Sequence, residues 1–405
     1  MATKTFRFRI YPNAMQTDLL VRSFGCKRFV WNQVLGRVQE EYKAYQTDPT
    51  LEKPKLSANA LTYRLPELKD EFGFLYEVSS VILQQSLRDL GTAFQSFFKG
   101  KGKIGFPKYK KRVSRQSIRL TKAAFTLNLE TGDFRMAKVM QSPIKTKWSY
   151  KNEKWGGVLP TQPSSCSIIR ESDGKYYACF ICECEPRLTN GESHLGSDLG
   201  IKTFAVDSEG KEYAKPKYQG QYARKLARAQ RDLSRKVKGS ANYRKQRLKV
   251  AKIYAKTKRC RMDFQHKLSR SLVDQCMTIA IEDLNIEGMV RNRRLAKHIA
   301  DCGWRQFLTQ LVYKADESQH CKVVIAERFF PSTQTCSACN HRLEGKLKLK
   351  LHQRWWDCPS CKTTHDRDHN AAINLRTMAL EQLPPTSHLR QTLTAVFIQE
   401  HHLTA

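Results

Sequence analysis

Asp198, Glu282 and Asp368 are the residues whose type and setting best fit hydrolytic chemistry; they lie in HLGSDLGIKTFAVDSEG, MTIAIEDLN and HDRDHNAAINL. The first ends an apolar strand, the second ends a later one, and the third opens a helix. Carboxylates so placed can meet at one spot and hold two divalent cations, which activate water and stabilise the leaving oxygen in phosphodiester hydrolysis. Hard Mg2+ or Mn2+ takes carboxylate oxygens, whereas thiolates take Zn2+. Thiolates come from Cys336, Cys339, Cys358 and Cys361, two CxxC pairs with eighteen residues between them. Each pair forms a knuckle, the spacer suffices for a hairpin, and four protein ligands make a bound zinc structural rather than catalytic.

Taken singly, each acid has a plainer reading. A turn aspartate commonly bonds its own backbone, which is the expectation for Asp207, and Asp366 or Asp368 can cap the helix that follows. The combination carries the weight, because two-cation hydrolysis needs several carboxylates converging from separate elements. No order of Ser, His and Asp suggests acyl transfer, and no Gly-rich loop ending in Lys and Ser or Thr suggests nucleotide hydrolysis. His352, His365 and His369 read as surface or hydrogen-bonding groups.

Several elements must position these groups. TFRFRIYP alternates as a half-buried first strand, and Leu19 to Val38 recur at helical spacing from Met15 to about Tyr45, with a break expected at Gly25. Ser79 and Ser80 precede a second helix with one apolar stripe from Val81 to Phe97. Residues 99–119 hold nine Lys or Arg and no acid, with Phe106 and Tyr109 interleaved, in a glycine-punctuated loop. FTLNLETGDFRMAK and CSIIRESDGKYYACFICECE read as hairpins of a small β barrel. Between Tyr222 and Arg270 stand eighteen Lys or Arg against Asp232 and Asp263. Solvated helices usually mix signs, so this pair of basic helices suits a phosphate backbone, which positions without specifying sequence.

With 405 residues and 40% hydrophobic content the chain supports several cored domains. The 71 Lys and Arg against 38 Asp and Glu leave a net charge of +33, which nucleic acid would neutralise in a salt-sensitive way. No apolar run approaches a membrane span, and the first residues lack a signal-peptide core, so a cytoplasmic, nucleoid-associated protein without a membrane partner is expected. Thirteen cysteines, four of them in ligand spacing, point to reduced thiols rather than a disulfide framework.

The chain resembles the TnpB family, transposon-encoded RNA-guided endonucleases related to type V CRISPR effectors. The resemblance rests on FGCKRFVWNQVL, SSVILQQSLRDLGTAFQSFFKG, GFPKYKKR, SDLGIKTFAVDS, HKLSRSLVD, IAIEDLNIEGM, ERFFPSTQTCSACN and CPSCKTTHDRDHNAAINL, in family order. It implies a multidomain α+β and α/β chain: an RNase H-like (RuvC) nuclease domain with an inserted zinc ribbon, a β-barrel wedge and a helical recognition domain. The boundaries expected are 1–11 and 99–190 for the wedge, 12–98 for the recognition domain, 191–335 and 362–381 for the nuclease, 336–361 for the zinc module and 382–405 for a tail. It further implies Asp198, Glu282 and Asp368 as catalytic magnesium (or manganese) ligands, with Asp366 the weaker third choice. The implied partners are a guide RNA from the transposon end, one protein per RNA, and target double-stranded DNA next to a short motif. Ser197 and Asn340 depart from the pattern. Asn340 replaces a knuckle glycine and can adopt its left-handed conformation, so the thiol site should survive.

The rival is an RNA-guided DNA-binding repressor that does not cut. Neutral residues at the three acid positions would favour it, and the acids are present. A transposase that joins strands is disfavoured, since paired histidines and a nucleophilic tyrosine are missing.

Overall fold

The structure, a computed structural model, describes residues 2–100, 104–112, 116–136, 140–146, 159–216, 218–350 and 352–382. The basic loop therefore lies partly outside the described residues, and the tail almost wholly. The chain divides into two compact units, residues 1–185 with 237–252, and residues 186–236 with 253–405.

In the first unit, β1 (Ala2–Tyr11) leads into α1 (Ala14–Thr47), with Asn13 and Gln16 forming a reciprocal capping box. The break expected at Gly25 does not occur. Leu20, Phe24, Val30, Val34 and Val38 keep one buried face along α1, and that burial outweighs the roughly 1 kcal/mol a helical glycine costs. α2 (Ala58–Thr62), α3 (Leu65–Glu71) and α4 (Ser80–Lys99) complete a helical core around Leu61, Leu68, Leu83, Leu87 and Leu90. Ser79 stands at the start of α4, but its hydroxyl makes no capping bond.

Strands β2 (Gln116–Thr121), β3 (Phe125–Leu127), β4 (Phe134–Met136), β5 (Lys145–Thr146), β6 (Ser165–Arg170) and β7 (Tyr176–Cys184) follow. The hairpins at Thr131–Gly132 and Asp173–Gly174 form as β3–β4 and β6–β7. The β barrel does not. Among the described residues the sheet runs β2-β6-β7-β1-β5, its outer strands do not pair with each other, and β3–β4 is a separate ribbon. Closure demands hydrogen bonds between the edges, and β5, two residues long, pairs with β1 alone among the described strands. The apolar face that a barrel would have enclosed is covered by the β3–β4 ribbon, by Leu20 and Phe24 of α1, and by Ile82 of α4.

The second unit is built on a sheet of order β10-β9-β8-β11-β12. Its strands are β8 (Ser193–Leu199), β9 (Thr203–Asp207), β10 (Glu212–Ala214), β11 (Cys276–Ile281) and β12 (Lys322–Ile325). β8, β11 and β12 are parallel, while β9 and β10 turn back antiparallel. Parallel neighbours require long crossovers. The basic helices α5 (Tyr218–Ser234) and α6 (Ala241–Gln275) join β10 to β11, and α7 (Ile286–Val290), α8 (Ala296–Cys302) and α9 (Trp304–Ser318) join β11 to β12. Leu272, Trp304, Phe307 and Leu311 share one core with Leu195, Ile279 and Ile281. Leu375, Met378 and Ala379 of α10 (Arg367–Glu381) pack with Ala280 and Ala326 in another. The ribbon β13 (Trp355–Asp357) and β14 (Thr364–Asp366) precedes α10. Among the described residues no helix is long and apolar enough to cross a membrane.

Candidate active site and thiol cluster

Asp198 is the penultimate residue of β8, buried, in register with Val206 of β9. Glu282 follows the last residue of β11, the strand beside β8, and Asp368 stands in the first turn of α10. What brings α10 down onto β8 is Gly196. A Cβ at that position would stand 1.8 Å from the carbonyl oxygen of Ala372, so only glycine admits the helix.

The three carboxylates affect one another. Burial pushes Asp198 well above the usual carboxylate range, the negative charges of Glu282 and Asp368 push it further, and Arg367 opposes them. Burial also raises Glu282, a hydrogen bond from Ser332 lowers it, and Asp368 raises it again. Burial is the larger cause in both, and the mutual repulsion adds to it, as for acids that stand near one another. Asp368 also faces Arg354 Nη2 at 3.0 Å and Arg367 Nη2 at 3.3 Å. Asp366 is engaged otherwise: its Oδ1 accepts the backbone N–H groups of Asp368 and His369, both at 3.0 Å, as the helix cap. Asp207 accepts from the backbone of Glu209 and Lys211 and from the Tyr213 hydroxyl, as a turn aspartate does.

Four thiols meet in a second place. The Sγ atoms of Cys336, Cys339, Cys358 and Cys361 all lie within 4.8 Å of one another, with Cys336–Cys361 and Cys339–Cys358 at 3.6 Å. A zinc–sulfur bond of about 2.3 Å implies a tetrahedral edge of about 3.8 Å, close to these separations. Each knuckle closes the same way: the carbonyl of Cys336 accepts the N–H of Asn340, and that of Cys358 accepts the N–H of Lys362. Asn340 has φ 60° and Lys362 φ 62°, so the left-handed conformation expected of Asn340 is the one it adopts. Burial pushes the Cys336 thiol up to about 12, while Thr363 holds Cys361 down at about 6. His365 is buried with Nε2 3.0 Å from Cys336 Sγ, and His369 Nε2 lies 3.2 Å from the Ser208 carbonyl.

Between the two sites run polar residues that sequence reasoning passed over. Ser332 Oγ donates to Glu282 Oε1 at 2.5 Å. Asn370 and Asn374, both buried on α10, each donate to the Thr335 carbonyl at 2.7 Å, and Asn374 also donates to the Ser332 carbonyl at 2.7 Å. Asn370 Oδ1 accepts the Ser337 N–H at 2.9 Å. The segment leading into the first knuckle is thus fastened to the helix that carries Asp368. Their spacing in NAAIN, four apart on one helix face, was the available signal.

Residues 1–47 match a family profile described as "Helix-turn-helix domain", 177–293 one described as "Probable transposase", and 304–375 one described as "Cas12f1-like, TNB domain". In the structure, residues 2–47 form one strand and one continuous helix. A Streptomyces pristinaespiralis protein named "Putative RNA-guided DNA endonuclease" is 37% identical over 382 residues, covering 92% of this chain and 88% of the relative.

This chain belongs to the TnpB family.

A TnpB-family relative of Escherichia coli K12, InsQ, bears the same description and is 28% identical, with 92% of this chain and 91% of that protein aligned. Among solved structures, a chain of the Cas12f1-sgRNA-target DNA complex superposes with a TM-score of 0.54 at 12% identity, covering 93% of this chain and 98% of that one; at that identity the likeness concerns the fold. The TnpB relation places the chain among RuvC-related nucleases, and the four thiols form a group that could hold a metal ion.

Proposed function

We propose that this chain is an RNA-guided DNA endonuclease whose single hydrolytic site consists of Asp198, Glu282 and Asp368. The observation that carries the reading is where the three acids stand: Asp198 and Glu282 at the ends of the adjacent strands β8 and β11, and Asp368 in the first turn of α10, the helix that Gly196 admits onto β8. All donors offered are carboxylate oxygens, the set that hard divalent cations prefer. Magnesium or manganese held by them would supply an activated water and offset charge at the reacting phosphate. The chain's own contribution is positioning. β8 and β11 fix Asp198 and Glu282 side by side, the Ser332 hydroxyl orients Glu282, and the Gly196 contact seats the helix bearing Asp368. Asp366, engaged as a helix cap, is the poorer third ligand.

The thiol cluster fits zinc in spacing and donor type, and all four positions are protein ligands, so its role is structural. In this reading residues 12–98 form a recognition domain, 191–335 and 362–381 the nuclease, and 336–361 the zinc module. α5 and α6 would follow a phosphate backbone, which suits the net charge of +33. Guide pairing reads the target sequence, and the protein reads heteroduplex shape and a short flanking motif.

The test is to purify the chain with its copurifying RNA, sequence that RNA, and present the complex with plasmids carrying the matching target beside randomised flanks. Mg2+-dependent linearisation of a flank-defined subset is expected. Flank-selective binding without cutting would instead make the chain an RNA-guided repressor.

A further inference from the structure

Half of the thiol cluster faces solvent. Cys339 and Cys361 are exposed, whereas Cys336 and Cys358 are fully buried. Each exposed sulfur stands 3.6 Å from a buried one of the other knuckle, Cys361 from Cys336 and Cys339 from Cys358. Thiolates that ligate a cation stay deprotonated, and the exposed ones are those that oxidants reach. The inner pair leads towards the acids. Ser337, next to Cys336, gives its N–H to Asn370 at 2.9 Å, and the Thr335 carbonyl on the other side accepts from Asn370 and Asn374 at 2.7 Å. The first knuckle is thus fastened to α10 on both flanks of Cys336. His365 of β14 places Nε2 3.0 Å from Cys336 Sγ, the next residue, Asp366, caps α10, and Asp368 lies in its first turn. A shift of Cys336 therefore reaches the start of the helix from two directions.

We propose that the thiol cluster is a peroxide-sensitive switch: oxidation of Cys339 or Cys361 joins it to the buried cysteine across from it, empties the metal site and loosens the first turns of α10. The reagent is a hydroperoxide. An outer thiolate attacks the O–O bond, keeps one oxygen as a sulfenic acid and releases hydroxide. The thiolate of the facing knuckle then attacks the sulfenic sulfur; the S–O bond breaks, a second hydroxide leaves, and an S–S bond forms. Two thiolates and one peroxide thus give one disulfide and two hydroxides. Bonding at about 2.05 Å requires sulfurs now 3.6 Å apart to close by about 1.5 Å, which pulls on the knuckle that Asn370 and Asn374 hold. Two thiolates remain, too few for a closed tetrahedral site, so the site loses its zinc. A dithiol reductant with added zinc reverses the change. The switch rests on the zinc reading of the cluster, and only its effect on cutting rests on the nuclease reading.

The full chain, purified reduced and with its zinc content measured, is treated with hydrogen peroxide beside a chromogenic zinc chelator and sampled for non-reducing peptide mapping and amide hydrogen exchange. Zinc release is expected in step with Cys336–Cys361 or Cys339–Cys358 disulfides, ahead of oxidation at the half-exposed Cys184 and Cys260. Exchange at residues 332–337 and 367–375 should quicken by about tenfold or more, and dithiothreitol with zinc should restore it. Cys339→His with Cys361→His keeps four donors without an exposed thiolate and should hold zinc against peroxide. If that pair of changes takes up no zinc, each single change is used, and its disulfide should form only at the remaining exposed cysteine. Zinc retained at peroxide levels that already oxidise Cys184 or Cys260 overturns the switch. Zinc release with exchange in α10 unchanged overturns it as well, since nothing then reaches the acids. A folded native chain that contains no zinc removes it together with the zinc reading. Cleavage by the RNA complex is scored on the same samples, and oxidation should slow it by about tenfold or more. If the reduced complex does not cut, the nuclease reading fails, and zinc release and exchange still decide the switch.

Discussion

Gly196 of β8 lies so close to Ala372 of α10 that a methyl group on its α-carbon would stand 1.8 Å from the Ala372 carbonyl oxygen and 2.6 Å from the Arg376 nitrogen. Both obstacles are backbone, so neither can swing away. The contact sets the height of α10 over the sheet and, with it, the distance from Asp368 to Asp198.

Gly196→Ala should therefore push the helix off the strand. The loss of stability is expected at about 3 kcal/mol, the upper end of what overpacking a core contact usually costs. A chemical denaturation midpoint within error of the native protein would show that the helix does not rest there.

Metal-free stability should respond to the charge of Asp198. Burial and the neighbouring carboxylates raise its folded pKa, so the folded state binds this proton more tightly than the unfolded chain does. The stability linked to that proton is complete below the unfolded value near 4 and is lost as pH rises through the folded one. In EDTA at pH 8, Asp198→Asn should melt above the native protein by about 2–4 °C, the shift that roughly 1 kcal/mol gives in a compact unit of about 200 residues. The gap should close towards pH 4, and Mg2+ should raise the native Tm while leaving the variant's unchanged. Coincident melting curves at pH 8 would count against a crowded acid site.

Zinc should be present at one equivalent per chain. Cys358→Ser or prolonged chelation should release it and loosen the small core of Leu343 and Trp356 that surrounds the buried thiols. Elemental analysis showing no zinc in a folded native preparation would remove the assignment.

Asn370→Ala should act on the hydrolytic site without touching it. The change strands the Ser337 N–H, at about 1–3 kcal/mol, and leaves the Thr335 carbonyl to Asn374 alone, loosening the segment that carries Ser332 to Glu282. The expected signature is a cleavage rate lowered about tenfold with RNA binding retained and a raised Mg2+ requirement. An unchanged Mg2+ dependence would reduce Asn370 to a packing role.

Much of this was legible because it is local. The thiol knuckles follow from spacing within a few residues, Asn340 from the conformation a knuckle demands, and β8, β9 and β11 from apolar runs of strand length. Two expectations failed where the deciding contacts are distant. Barrel closure depends on whether β2 and β5 meet, and alternating side chains look the same in a sheet covered on one face. The break at Gly25 assumed that local propensity governs, whereas burial against α4 carried α1 straight through. Ser332, Asn370 and Arg354 escaped notice because their partners are fourteen to fifty residues away and their types are ordinary.

The central claim is that three acids form one hydrolytic site, and single-turnover cleavage of a matched, flank-bearing target by Asp198→Asn, Glu282→Gln and Asp368→Asn complexes tests it most directly. Each rate should fall by about a thousandfold or more while RNA and target binding stay native. If any one of the three variants cuts within tenfold of the native complex, that residue is not part of the site and the account is wrong.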